Sequence, residues 1–139
     1  MINRAYKLFN CNYANVQPNS GASTNTAVQF AICKFGDTIL EMSLNSGGNL
    51  THGTKSTYSG KNYISIQYEV NPEIYLIDYD AIEKLALNRL PRLLIWGSSE
   101  YPRTINFEKL REIVDKVNET ILEDIKDDFK SHYEERKVI

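Results

Sequence analysis

Cysteine, proline and long apolar runs are all scarce in this chain. Its two cysteines, Cys11 and Cys33, lack CxxC spacing, and with His52 and His132 they form no zinc-ligand pattern. They are expected to be reduced thiols in a cytoplasmic protein, with no structural or catalytic metal. No stretch reaches the roughly 20 apolar residues that a membrane span needs. A basic excess is also missing: 16 Lys+Arg stand against 18 Asp+Glu, a net charge of −2. That leaves no positive field for nucleic acid or anionic lipid. The first residues, MINRAYKLFN, lack the apolar core and small-residue cleavage site of a secretory signal. Asn49-Leu50-Thr51 and Asn118-Glu119-Thr120 are then chance matches to the glycosylation pattern. Repeats and low-complexity linkers are absent too.

What remains is a balanced composition. The 139 residues, 42% hydrophobic and 24% charged, suffice for one domain with its own core. The pattern predicts a short helix over Arg4 to Asn10 and an extended piece at Tyr13 to Val16. A helix follows from Ala22 to Lys34, its apolar face carried by Ala27, Val28, Ala31 and Ile32. Thr38 to Met42 reads as a strand. Asn45 to Gly60 holds four of the seven glycines and reads mostly as loop. Tyr63 to Tyr68 alternates as a strand, and Ile74 to Ile77 as a short additional extended piece. Asp80 is expected to start a helix with Glu83 closing a capping box, with Ile82, Leu85 and Ala86 as its buried stripe and Pro91 as its stop. Arg92 to Trp96 is a continuous apolar run of the kind found in interior parallel strands. Asn106 caps a last helix with the stripe Phe107, Leu110, Ile113, Val114 and Val117. Beyond it Ile121, Leu122, Ile125, Phe129 and Tyr133 predict an amphipathic charged tail helix. The alternation indicates an α/β sheet with right-handed crossovers.

Two places carry potential chemistry. Ser20-Gly21 opens a helix, where free N–H groups and the dipole favour an anion such as phosphate; the same residues also serve as an ordinary cap. The loop Ser46 to Gly53 follows a strand, and ligands in open α/β sheets gather outside the carboxyl ends of strands. Its Gly47-Gly48 pair suits either a close ligand approach or a turn. His52 reads as a satisfied polar residue rather than a base. No nucleophile–base pair is legible.

The same residues carry a resemblance. Ala5-Tyr6-Lys7-Leu8-Phe9, Tyr13-Ala14-Asn15-Val16-Gln17-Pro18-Asn19-Ser20-Gly21 and Gly36-Asp37-Thr38-Ile39-Leu40 come first. Ser46-Gly47-Gly48-Asn49-Leu50-Thr51-His52-Gly53, Ser59-Gly60-Lys61, Leu76-Ile77-Asp78-Tyr79-Asp80 and Ser99-Glu100-Tyr101-Pro102-Arg103 follow in order. Together they resemble serine hydroxymethyltransferase, the pyridoxal-phosphate enzyme that interconverts serine and glycine with tetrahydrofolate in one-carbon metabolism. The resemblance covers residues 4–118. It implies part of the large domain of a PLP-dependent transferase of fold type I, an aspartate aminotransferase-like three-layer sandwich over 1–118. Residues 119–139 are then a divergent charged helical tail.

By that resemblance Ser20, Gly21 and Ala22 stand at the cofactor phosphate, with Ala22 where the family has a second serine. Asn49 takes the place of a histidine that stacks on the pyridine ring, and Ser99 matches a serine near it. Its neighbour Glu100, small in relatives, would be costly if buried unpaired. Leu44, Gly48 and Leu50 match positions around folate. A pyridoxal enzyme needs a Schiff-base lysine and an acid at the pyridine nitrogen. The family carries both in segments beyond the resemblance, and Lys126, Lys130 and Lys137 sit in unrelated charged context. The expectation is therefore no catalytic residue and no independent turnover. Partners would be a second copy or an intact homologue, associating through an inherited surface. An unpaired sheet edge would favour such association.

Overall fold

A computed structural model describes residues 1–127 and the backbone of Lys137–Val138, with side chains through Asn118. Five helices and four short strands alternate: α1 (Ile2–Phe9), α2 (Gly21–Ile32), β1 (Thr38–Met42), α3 (Tyr58–Asn62), β2 (Ile64–Tyr68), α4 (Tyr79–Arg89), β3 (Leu93–Leu94), α5 (Phe107–Asp127) and β4 (Lys137–Val138). The sheet order is β2-β1-β3-β4, all pairs parallel. In register, Ile39 faces Ser65 and Leu93, while Glu41 faces Gln67. The β1–β3 ladder runs past the two strand residues: Arg92 donates its N–H to the Thr38 carbonyl at 2.8 Å and Ile95 to that of Leu40 at 2.9 Å. The expected strands at Thr38–Met42 and Arg92–Trp96 thus pair in the sheet interior, although regular geometry in the second is confined to Leu93–Leu94.

Alternation along β1 and β3 sends side chains to two faces. Leu40, Met42, Leu94 and Trp96 pack with Ile82 and Ala86 of α4 and with Leu110, Ile113, Val114 and Val117 of α5. Each aliphatic side chain so buried contributes about 1.5–3 kcal/mol. Ile39, Leu93 and Ile95 form a smaller cluster on the other face with Cys33 and Tyr63. Burial pushes the Cys33 thiol up to about 11, aided by the nearby Asp37 charge. Both Cys11 and Cys33 are free thiols.

Several elements depart from the sequence reading. Only half of the expected α2 face packs: Ile32 meets the Ile39–Leu93 cluster and Val28 is half-buried, whereas Ala27 and Ala31 are exposed and Gln29 is the buried residue. Polar contacts from Asn25 and Gln29 to the loop after β1 orient this helix together with the Ile32 contact. The cap of α4 is Asp78, whose carboxylate accepts the Ala81 N–H at 3.0 Å. Asp80 sits inside the first turn. With Asp78 as the cap the third helical residue is Ala81, so Glu83 stands outside any capping box and pairs instead with Lys116 of α5 at 2.8 Å. Asn106 caps α5 as expected, accepting from Lys109 at 3.0 Å, but Phe107 is 63% exposed. The loop Asn45–Gly60 holds a 3-10 turn, Leu44–Ser46, and the start of α3. Tyr13–Val16 forms no strand, and from Ile74–Ile77 only Ile77 bridges, to Val70. Helix α5 runs on through Asp127, whereas Phe129 and Tyr133 lie outside the described residues. No helix of the described residues is long and apolar enough to cross a membrane.

Candidate functional site: the helix α2 entrance and the Asn49–Ser99 junction

Because α2 leads directly into β1, its N-terminus lies at the carboxyl end of the sheet, beside the loops that leave β1 and β3. Ser20 is extended (φ −157°, ψ 160°) and caps the helix. Its Oγ accepts the Ser23 N–H at 3.1 Å, and Ser23 Oγ accepts the Ser20 N–H at 3.2 Å. The hydroxyls are thereby spent on one another. The N–H groups of Gly21 and Ala22 precede the first intrahelical partner and point out of the helix. Space there is open: a Cβ built on Gly21 meets nothing within 4 Å.

One turn into α2, Asn25 joins this entrance to the loop after β1. Its Nδ2 donates to Thr51 Oγ1 at 2.8 Å and lies 3.1 Å from His52 Nε2. Thr51 in turn donates its N–H and its hydroxyl to Asn49 Oδ1, at 2.9 and 2.8 Å. Asn49 Nδ2 donates to Ser99 Oγ at 3.0 Å, joining residues fifty positions apart. The Asn49-Leu50-Thr51 triplet is thus an Asx turn, a side-chain oxygen bonding the N–H two residues on. Asn25 and Thr51 escaped the sequence reading; the Asx spacing was the one local signal for Thr51, and Asn25 had none.

His52 is buried, and burial lowers its pKa, so the neutral ring is favoured. Nε2 accepts from Asn25, which puts the hydrogen on Nδ1. Among the described residues that buried Nδ1 has no partner, so the expectation of a fully satisfied histidine is corrected by half.

The glycine pair serves the protein's own backbone. Gly47 takes φ 96°, and a Cβ there would stand 2.8 Å from the Tyr101 nitrogen. At Gly48 a Cβ would overlap the Met42 and Ser43 carbonyl oxygens. Ser99 and Glu100 donate their N–H groups to the Gly47 carbonyl at 3.0 and 3.2 Å, and Gly48 bridges Ser98. This docking brings Ser99 to Asn49. Glu100 is exposed, so no burial cost arises. Leu44 and Leu50 are exposed and Gly48 is buried, all on the same loop. Among the described residues no three His, Cys, Asp or Glu side chains cluster as metal ligands.

Residues 1–127 match the family model of serine hydroxymethyltransferase. The chain belongs to the serine hydroxymethyltransferase family. The match runs past Asn118, where the sequence motifs give out. Serine hydroxymethyltransferase of Rickettsia rickettsii (strain Sheila Smith) is 57% identical over 124 residues, which are 89% of this chain and 30% of the relative. A probable serine hydroxymethyltransferase of Rickettsia bellii (strain RML369-C) is 55% identical, and the enzyme of Rickettsia canadensis (strain McKiel) 56%, over the same shares. The chain therefore spans about 30% of the length of these curated relatives. The family reaction is serine/glycine interconversion with pyridoxal phosphate, carried out by the transferase fold type I to which this parallel α/β sheet conforms.

The residues present fit one end of that cofactor. Two outward amides at an open helix entrance suit its phosphate. Among the described residues, no lysine or carboxylate side chain hydrogen-bonds Asn49 or Ser99: their partners are Thr51, the Gly47 carbonyl and each other. No catalytic step follows from these residues.

Proposed function

We propose that these 139 residues form the phosphate-side wall of a serine hydroxymethyltransferase large domain, and that they bind without turning over substrate. Ser20, Gly21 and Ala22 hold the phosphate of pyridoxal phosphate through the two backbone amides of Gly21 and Ala22, with Ser20 fixing the helix entrance as its cap and Ala22 where the family has a second serine. Asn49 and Ser99 flank the ring as hydrogen-bonding groups, since an amide cannot stack as an imidazole does. Leu44, Gly48 and Leu50 contribute the tetrahydrofolate-facing loop. Residues 1–118 supply part of the three-layer sandwich and 119–139 a charged tail, in the cytoplasm. The Asn49–Ser99 hydrogen bond carries this reading, because it unites two ring-side positions from distant loops at one site. Pyridoxal chemistry needs a Schiff-base lysine and an acid at the pyridine nitrogen, and Ser20, Asn49 and Ser99 fill neither role, so these residues bind and do not turn over serine. Equilibrium dialysis tests the reading: pyridoxal phosphate is retained, inorganic phosphate competes, and Ser20→Ala weakens retention. Absence of any retention refutes it.

A second reading is supported by surface. Helix α1 buries none of its residues, with Phe9 72% exposed, and Phe30 of α2 is 64% exposed against Phe35. Such apolar area favours association with a second copy or an intact homologue. Co-purification with a full-length homologue supports it; a monomer indifferent to that enzyme removes it.

A further inference from the structure

A cavity of about 620 Å³ lies beside β2, between the 3-10 turn at Leu44–Ser46, the Gly53–Lys55 loop and α3. Of the cofactor and folate positions named above it shares only Leu44. Its polarity is set by a side chain hidden behind its floor. Glu41 of β1 is wholly buried, and Gly53 lies directly against its carboxyl group. Glu41 Oε1 accepts the Ser65 hydroxyl at 2.6 Å and the Gln67 Nε2 at 3.2 Å, while Oε2 has no partner among the described residues.

Ser65 and Gln67 both line the cavity. With the Ser65 hydrogen and the Gln67 amide nitrogen turned inward to Glu41, what they offer the cavity is oxygen: the Ser65 lone pairs and the Gln67 carbonyl. Glu69 adds a carboxylate and Lys55 the cation of the lining. Acceptors beside an anion select an ammonium group, and a separate cation selects a carboxylate.

We propose that this cavity binds a small zwitterion bearing a primary ammonium and a carboxylate, the ammonium on Ser65, Gln67 and Glu69 and the carboxylate on Lys55. The test is NMR titration of the full chain with γ-aminobutyrate, using butylamine and butyrate as single-charge controls. Saturable shifts at Ser65 and at the Gln67 side-chain amide are expected for the zwitterion, with each control at least about fivefold weaker, the effect of losing one charge-assisted hydrogen bond. Lys55→Met, at an exposed residue, should bring γ-aminobutyrate down to the level of butylamine; Ser65→Ala should weaken both amines and spare any response to butyrate. No saturable shift, butyrate binding as tightly as the zwitterion, or an unchanged preference in Lys55→Met would overturn the proposal.

Discussion

Glu41→Gln should make the protein more stable at alkaline pH and leave it unchanged in acid. Glu41 sits in the central strand with a carboxyl oxygen that nothing within the described residues satisfies. Burial raises its pKa, and the hydrogen bonds from Ser65 and Gln67 only partly oppose that rise. A carboxyl whose folded pKa is raised binds its proton more tightly when folded. Its contribution is complete below the ordinary carboxylate pKa and is lost as pH climbs through the folded value. Across that window stability falls by up to about 1.4 kcal/mol per pH unit. Glutamine keeps an oxygen for Ser65 and Gln67 and cannot ionise. The gain at pH 8 should be the cost of ionising the buried carboxyl, about 1.4 kcal/mol for each pKa unit by which burial raises it, because the amide nitrogen meets the same unpartnered surroundings as Oε2. Urea unfolding from pH 4.5 to 8.5, followed by the fluorescence of the single buried Trp96 against Tyr68, reads this directly. The difference between wild type and variant isolates Glu41, since every other titration is common to both. Parallel curves would refute the reasoning.

Three further outcomes follow from the same geometry. His52 has a lowered pKa, so the unfolded chain takes up the proton first and stability falls as pH drops below the ordinary histidine value of 6.5; His52→Gln should flatten that limb of the stability profile. Gly48→Ala places a methyl group on the Met42 and Ser43 carbonyls and should cost more than about 2 kcal/mol by urea unfolding, with loss of the Ser98 bridge. Asn25→Ala removes the donor to Thr51 and His52 at once and should cost about 1–3 kcal/mol, together with a shifted Asn49 side-chain amide resonance in NMR; an unmoved resonance would show that Asn49 is held without Asn25.

Elements with one dominant local signal were legible in the sequence. Thr38–Met42 and Leu93–Leu94 come from apolar runs, and the start of α5 from Asn106 followed by a clean stripe from Leu110 to Val117. Where two local signals compete, the outcome is decided by tertiary contact. Asp78 and Asp80 are both capable caps, and the chain uses the first, leaving Glu83 to pair with Lys116. Helix α2 docks through Ile32 of its apolar side but also through Asn25 and Gln29, because the Thr51 and His52 loop offers hydrogen-bond partners there. Glu41 was hidden inside a strand motif whose burial on both faces no periodicity reveals. For the site, the individual residues Ser20, Gly21, Asn49 and Ser99 were legible by resemblance. Their connection was not, because Asn25–Thr51 and Asn49–Ser99 are 26 and 50 positions apart in sequence.

The central claim is binding of the cofactor's phosphate end without turnover. It is tested most directly by incubating the 139-residue chain with pyridoxal phosphate, reducing with borohydride and digesting for mass spectrometry, with dialysis of an unreduced sample in parallel. The chain should retain pyridoxal phosphate that inorganic phosphate displaces and carry no pyridoxyl-lysine at any specific position. A single modified lysine, accompanied by tetrahydrofolate-dependent cleavage of serine, would contradict it.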